Sequence, residues 1–567
     1  MRPPHPTLMF PGRTGRATRR LGIRARGGAC EGHGGPRGGA ESGSSAALPH
    51  KTALGRRRAG RSLLAALAPI LGLALTLLGA PAPVRGQGTS PAAAYVAGNL
   101  TPPPLTRELR GTWIASVKNI DWPSRPGLST TAQKAELLDL LNLCQQLQLN
   151  AIFLQVRPAC DALYESALEP WSEYLTGVMG RAPQPFYDPL AFAIQEAHRR
   201  GLELHAWINP FRARHASSTA PFARTHLSQA RPGLVKAYGK SLWLDPGDPA
   251  AREHSLRVIL DLVSRYDLDG LHFDDYFYPY EERDRQGRAL PFPDDATWQR
   301  YVQGGGKLDR KDWRRENVNG FVRQVQERIR ATKPWVRYGI SPFGIWRPNH
   351  PPGIKGLDAH DTLYADARRW LREGWVDYLA PQLYWKTSAR EQSFPVLLQW
   401  WSEQNVRGRQ LFTGLAQRNG SDEILSQIAQ TRRQAGAGGQ IHWSARALQE
   451  ESRTTQLRLR QSYAQPALPP VARWLDATPP ARPTLGATAA PRGGVRFLWG
   501  NGGAEPVRFW VVQARAGGQW STDIVAAGET ARTWASAEAP EALAVTAIDR
   551  AGNAGAPAVI QRGTPRR

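Results

Sequence analysis

Between Leu109 and about Leu448, short apolar runs alternate eight times with segments that read as helices. The runs are Arg110–Ser116, Ala151–Arg157, Glu203–Asn209, Gly270–Asp274, Arg337–Pro342, Tyr378–Tyr384, Gln410–Leu415 and Gln440–Ser444. Runs this short, bounded by turn residues, suit strands covered on both faces. The intervening segments carry helix punctuation. Thr130 with Gln133 reads as a capping box ahead of Leu137, Leu138 and Leu141. Asp188-Pro189 and Asp248-Pro249 each pair a cap with a first-turn proline, and Gly201 closes the first of these helices. Eight strand–helix units in one continuous stretch predict an α/β fold, a (β/α)8 TIM-type barrel over residues 107–450. An open doubly wound sheet is the alternative, but no glycine-rich nucleotide loop follows the first run.

In such a barrel the chemistry lies at the C-terminal ends of the strands. The expected ends are rich in polar and aromatic residues. They include Gln155 and Arg157 on strand two, His205, Trp207 and Asn209 on strand three, and His272, Asp274, Asp275 and Tyr276 on strand four. Ser341 to Arg347, with Trp346, follow strand five, and Gln382, Tyr384 and Trp385 end strand six. Carboxylates at the exit of an apolar strand are costly to desolvate without a partner or a task. Flat aromatic faces beside them suit sugar rings. Trp113, Trp207, Trp346 and Trp385 are candidate subsite floors, with barrel core as the other reading. Asn209, Gln382 and Tyr384 could bond sugar hydroxyls or an acetamido group. Arg157 and Arg347 could meet carboxylate substituents, or pair within the barrel.

Glycoside hydrolysis needs an acid for the leaving oxygen and usually a second carboxylate. Asp274 and Asp275 are the catalytic candidates. Strand alternation sends neighbours to opposite faces, so His272 and Asp274 share the inward side. Asp275 turns inward only if the strand has ended or bulged. Strand seven ends Phe412-Thr413-Gly414-Leu415-Ala416, without the glutamate that many retaining barrel hydrolases place there. Two completions are open: the aspartates act as a pair, or the substrate's own N-acetyl group is the nucleophile. His205 and His442 form no recognisable metal set, Cys160 lacks a nucleophile's partners, and no cofactor is expected.

Several of these segments together resemble the family-10-like bacterial glycosyl hydrolases. They are Arg110-Gly111-Thr112-Trp113, Gln155-Val156-Arg157-Pro158, Pro170-Trp171-Ser172 with Leu175-Thr176-Gly177, His205-Ala206-Trp207 with Asn209-Pro210, and His272-Phe273-Asp274-Asp275-Tyr276. Gly339-Ile340-Ser341-Pro342-Phe343-Gly344 and Pro381-Gln382 with Tyr384-Trp385 continue the series, over roughly residues 107–450. The resemblance implies an envelope glycoside hydrolase on an eight-stranded barrel; members include an enzyme that cuts peptidoglycan glycan stripped of its peptides. The pattern from Asp269 to Asp274, with Gln382 and Tyr384, also resembles substrate-assisted glycosidases, whose glutamate position is Tyr276 here.

Outside the barrel the texture changes. Residues 1–55 are Gly-, Arg- and Pro-rich and read as a disordered leader or a mis-called start. Arg56-Arg57-Arg58, the apolar run Leu63–Ala80 and the small-residue exit describe a signal peptide over 56–86, with a retained anchor as the rival. Family members are often lipid-anchored, but no cysteine follows the run. Residues 87–106 read as a flexible linker, 451–483 as a joint, and 484–563 as a small sandwich resembling a fibronectin type III module. Of the net charge of +25, +11 falls in residues 1–62 and +14 in the remainder, and the body shows no nucleic-acid motif. The expected protein is secreted, periplasmic or envelope-located, with no stable membrane span after signal cleavage. It acts on cell-envelope glycan with possible cell-wall association. The alternatives are a non-catalytic glycan-binding protein and a hydrolase of another exopolysaccharide.

Overall fold

The computed structural model describes residues 95–491 and 493–563. The leader and the signal peptide lie outside these residues. Among the described residues no helix is long and apolar enough to cross a membrane.

Eight parallel strands close into a barrel. In chain order they are Leu109–Ile114, Ala151–Arg157, Glu203–Ile208, Gly270–Phe273, Arg337–Ile340, Tyr378–Leu379, Gln410–Ala416 and Ala437–Trp443. The eighth pairs with the first from Gly439 opposite Leu109 to His442 opposite Thr112, which removes both sheet edges. All eight expected runs are strands. The sixth is shorter than expected, because Pro381 supplies no N–H to the ladder beyond Leu379. Alternation divides the side chains cleanly. Ile114, Ile152, Leu154, Leu204, Leu271, Phe273 and Ile340 face the helices in one continuous core. Trp113, Phe153, Trp207, Tyr378, Phe412 and Ile441 fill the lumen. The barrel axis is therefore packed solid rather than open.

The helices start as their caps dictate. The Asp188 carboxylate accepts from Ala191 N–H and that of Asp248 from Ala250 N–H, each ahead of a first-turn proline. The helix Thr130–Gln146 departs from expectation. Ser129 is its cap, and Gln133 is buried, donating to the carbonyls of Leu128 and Leu175 instead of closing a capping box.

A row of carboxylates at the strand starts forms the barrel base. Glu108 pairs with Arg110 (2.7 Å) and Arg432 (2.8 Å), Glu203 with Arg337, Asp269 with Arg508 (2.8 Å) and Asp377 with Arg330 (2.8 Å). Asp269 and Asp377 also accept from the backbone N–H of Leu204 and Tyr338 on neighbouring strands. Each therefore ties two strands together where the ladder begins.

After the helix Arg453–Ser462 the chain runs extended along this base, with Leu468 bridged to Arg107. A two-sheet sandwich follows. One sheet holds Thr484–Ala489, Val495–Gly500 and Ala531–Trp534; the other holds Gln519–Ala526, Phe509–Ala516, Ala542–Ile548 and Ala558–Arg562. Phe497, Trp499, Trp510, Val512, Leu543 and Val545 interdigitate between them. The expected flexible linker requires correction over its described part, residues 95–106. Tyr95–Ala97 pairs antiparallel with Ile560–Arg562 at the edge of the larger sheet, and the Tyr95 ring meets Phe497 edge-on at 4.9 Å. An aromatic side chain with a pocket to fill holds that segment down.

Candidate active site

The mouth of the barrel is organised around strand four. Its ladder stops at Phe273; Asp274 still follows the inward side of His272, whereas Asp275 leaves regular alternation, and both carboxylates are held at the mouth. Asp274 is 6% and Asp275 2% exposed.

Asp274 is surrounded by donors. Asn209 Nδ2 lies 2.7 and 2.6 Å from its two oxygens, Trp207 Nε1 donates at 3.1 Å and the Tyr276 N–H at 3.3 Å. The orientation of Asn209 is fixed from behind. Its Oδ1 accepts from Gln155 Nε2 and from Arg212, both at 2.7 Å, which leaves Nδ2 for the carboxylate. Gln155 is fixed in turn, because its Oε1 accepts from the N–H groups of Ser116 (3.0 Å) and Val117 (2.9 Å). A continuous chain thus runs from the backbone after strand one, through strands two and three, to the carboxylate on strand four.

Asp275 has fewer compensations. Tyr280 donates its hydroxyl to Oδ2, and the Gln382 amide reaches it from strand six. Burial, then the charge of Asp274, pushes the Asp275 carboxyl up to about 7. Burial raises Asp274 as well, against the opposing Arg212 charge and the Asn209 bond. Two adjacent buried carboxyls do not ionise together readily. The donors converge on Asp274, so the negative charge resides there and Asp275 keeps the proton. Asn209→Ala should leave Asp274 under-solvated and free to turn. We expect a fall in turnover of about 10–100-fold, the usual cost of losing such a supporting contact, with the melting temperature shifted by only a few degrees; steady-state kinetics and calorimetry read both.

Beneath the pair lies a ring layer. Trp113 Nε1 donates to His272 Nε2 at 3.0 Å, so the neutral imidazole carries its proton on Nδ1, facing the Tyr378 hydroxyl at 3.1 Å. That hydroxyl lies 2.9 Å from His205 Nδ1, and His205 turns Nε2 toward Glu203. Burial holds both imidazoles below their usual pKa, His272 well below. Beside the pair are Tyr276, stacked under the Arg212 guanidinium at 5.0 Å, and Tyr384, whose hydroxyl lies within the field of Asp275. Trp385 packs edge-on against Phe343 at 5.6 Å.

The structure brings Gln155, Trp207, Asn209, Tyr276, Gln382 and Tyr384 together around Asp274 and Asp275, with Trp113 and His272 directly below. Four candidates lie elsewhere. Arg157 is fully buried outside the lumen, its fork closed on Glu169 and the Asn209 carbonyl. Burial alone would raise Glu169, yet Arg157 and His254 bring its carboxyl down to about 2. No donor of Arg157 is left for a substrate. Trp346 packs in the helical layer, stacked on Trp400 and bonded to Asp366, because the segment after strand five turns outward. His205 sits deep in the lumen, two levels below Asp274 along strands three and four. Arg347 pairs with Asp358 and Asp361 outside the mouth. Asp358, His360 and Asp361 could together offer ligand atoms to a cation, but Arg315, Lys311 and Arg347 already neutralise that cluster.

Sequence reasoning overlooked Arg212 and Tyr280, the side chains that set the two carboxylates apart. Arg212 lies on a small rim sheet (Arg212–Arg214, Ser241–Leu244, Val235–Tyr238), where its Nε is tied to the Pro158 carbonyl at 2.8 Å. Its position three residues after Asn209 was the available signal.

Residues 108–428 match the family described as glycosyl hydrolase-like 10. Among curated proteins, the chain is 41% identical to glycosyl hydrolase YngK of Bacillus subtilis strain 168, over 67% of this chain and 76% of that protein. It is 36% identical to glycosyl hydrolase DigH of Escherichia coli K12, over 53% of this chain and 72% of that protein. The family match spans more than half of the chain and contains every residue of the carboxylate site described above. The chain belongs to the glycosyl hydrolase-like 10 family.

Proposed function

We propose that the protein hydrolyses O-glycosyl bonds in an N-acetylated cell-envelope glycan, most simply peptidoglycan strands that have lost their stem peptides. The observation that carries this reading is the asymmetric pair at the barrel mouth: Asp274 ringed by the donors of Asn209, Trp207 and Tyr276, beside a buried Asp275 whose carboxyl is raised to about 7. Asp275 gives its proton to the leaving glycosidic oxygen. The oxygens of Asp274 are occupied by Asn209, Trp207 and the Tyr276 N–H, so it is a poor nucleophile. The substrate's acetamido oxygen then attacks the anomeric carbon and displaces the leaving group. The charge of Asp274 offsets the positive charge that develops. A water, deprotonated by the Asp275 carboxylate, opens the cyclic intermediate and restores the acid.

The test is incubation with amidase-treated peptidoglycan glycan and with the same strands after chemical de-N-acetylation. Short disaccharide-based products by mass spectrometry from the first, and none from the second, are expected. Equal cleavage of both would overturn the acetamido mechanism. A second reading is a glycan-binding barrel without catalysis, favoured by the absence of a carboxylate at the end of strand seven (Ala416-Gln417-Arg418). Binding without products would establish it. The signal-like segment over residues 56–86 supports a secreted, periplasmic or envelope location, which fractionation of cells checks.

A further inference from the structure

Strand seven ends where many barrel glycosidases carry a carboxylate, and here it delivers an arginine. The turn Gln417–Asn419 follows Ala416 directly and is pinned on both sides. Gln417 is buried, and its Oε1 accepts from His442 Nδ1 at 3.0 Å on strand eight. Asn419 donates from Nδ2 to the Tyr384 carbonyl at 3.3 Å on strand six. Arg418, between these two anchors, is exposed and projects over the Tyr384 ring, 5.8 Å from its centre. Among the described residues no carboxylate pairs with Arg418, whereas Arg157 and Arg347 are both held by carboxylates. Tyr384 thus lies between the catalytic pair on one side and an uncompensated guanidinium on the other.

Resting on the proposed glycan-hydrolase reading, we propose that Arg418 is a specificity-determining residue that reads a carboxylate substituent on the sugar bound at Tyr384. A guanidinium offers a fork matched to a carboxylate, and a fixed turn presents it with little loss of backbone freedom on binding. Two sources of that carboxylate exist in N-acetylated glycans: an ether-linked lactyl group, or the C6 carboxylate of a uronic acid. The site would discriminate against a neutral chain of the same sugars, and the discrimination would weaken with salt.

The test compares glycan stripped of peptides, in its free-carboxylate form, with the same oligosaccharides amidated by carbodiimide and methylamine. Hyaluronan oligosaccharides serve as the uronate arm. Affinity by calorimetry and turnover are measured for wild type, Arg418→Gln and Arg418→Lys. Wild type should favour the carboxylate form over the amide about tenfold, the effect of one charge-assisted contact. R418Q should abolish that ratio, and R418K should restore part of it. Preference for the lactyl-bearing chain over hyaluronan identifies the lactyl source, and the reverse identifies the uronate. If wild type binds and cuts both forms alike, or R418Q keeps the wild-type ratio, the Arg418 assignment falls while the hydrolase reading stands. Absence of binding to every form overturns both.

Discussion

Asp275→Asn should lower kcat/KM on N-acetylated glycan by about 10²–10⁴-fold, the range for loss of a general acid, and should raise thermal stability at alkaline pH. The two expectations share one cause. In the fold the Asp275 carboxyl is raised to about 7, whereas in the unfolded chain it has the ordinary carboxylate value. Between those two values the unfolded state has lost the proton and the native state retains it. The unfolded state therefore binds fewer protons, and stability falls as pH rises from about 4 to about 7. Above that window the native state carries a second buried charge beside Asp274, a burden on the order of a few kcal/mol. Asparagine cannot ionise, so the variant escapes the burden and loses the reaction. Melting curves at pH 4 and pH 8 should show the variant's gain only at the higher pH. A variant destabilised equally at both values would mean that Asp275 is a structural residue.

Activity should follow the same titration. A general acid works while protonated, so the wild-type rate should decline as pH rises through about 7. Removing the neighbouring charge with Asp274→Asn lowers the Asp275 pKa, so whatever activity remains in that variant should decline at a more acidic pH. A basic limb that stays in place in Asp274→Asn would dissociate the two carboxyls and remove the argument for a coupled pair.

What the chain discloses in advance depends on how far each feature is set locally. The eight strands are legible because their apolar character and capped helices are encoded within a few residues of each element. Asp274 is legible as an inward group because it continues the alternation of His272. Asp275 is not, since its direction depends on the ladder ending at Phe273, which the pairing with Ile208 and Ile340 decides. Arg157 misleads for a similar reason. A register shift between Gln155 and Arg157 turns its side chain out of the lumen toward Glu169, twelve residues further on. Gln155 and Asn209 lie at the barrel mouth, where they act on Asp274 rather than facing outward. An amide that completes a bonded chain looks, in sequence, like an amide that binds a sugar. The Tyr95 strand is hidden for a different reason: its partners lie some 460 residues away, at Ile560–Arg562.

Arg508→Ala should destabilise the barrel, although Arg508 belongs to the sandwich, by about 3–5 kcal/mol, the cost of leaving one partner of a buried ion pair unmatched. Its guanidinium closes on both oxygens of Asp269, at 2.8 and 3.0 Å, and both side chains are almost fully buried. Asp269 is the residue just before the strand that ends in Asp274. Its Oδ2 also accepts from the Leu204 N–H at 2.9 Å and faces His198 Nε2 at 2.9 Å, while its carbonyl accepts from the Arg337 N–H. One carboxylate thus joins strands three and four, and its backbone joins strand five. Around it, Leu468, Phe509, Val511 and Ile548 form an apolar seam, and Arg550 adds a pair to Asp267 at 2.6 Å. The sandwich therefore closes the end of the barrel opposite the mouth, and its Arg508 supplies the counter-charge that the start of strand four requires. Asp269→Asn should cost a similar amount. The double variant Asp269→Asn/Arg508→Ala should be less destabilised than the sum, because neither charge is left alone. Urea unfolding of the four proteins measures the coupling. Strict additivity would reduce the sandwich to a passenger, whereas a large coupling, with parallel losses in turnover, would make it part of the scaffold that holds Asp274 in place.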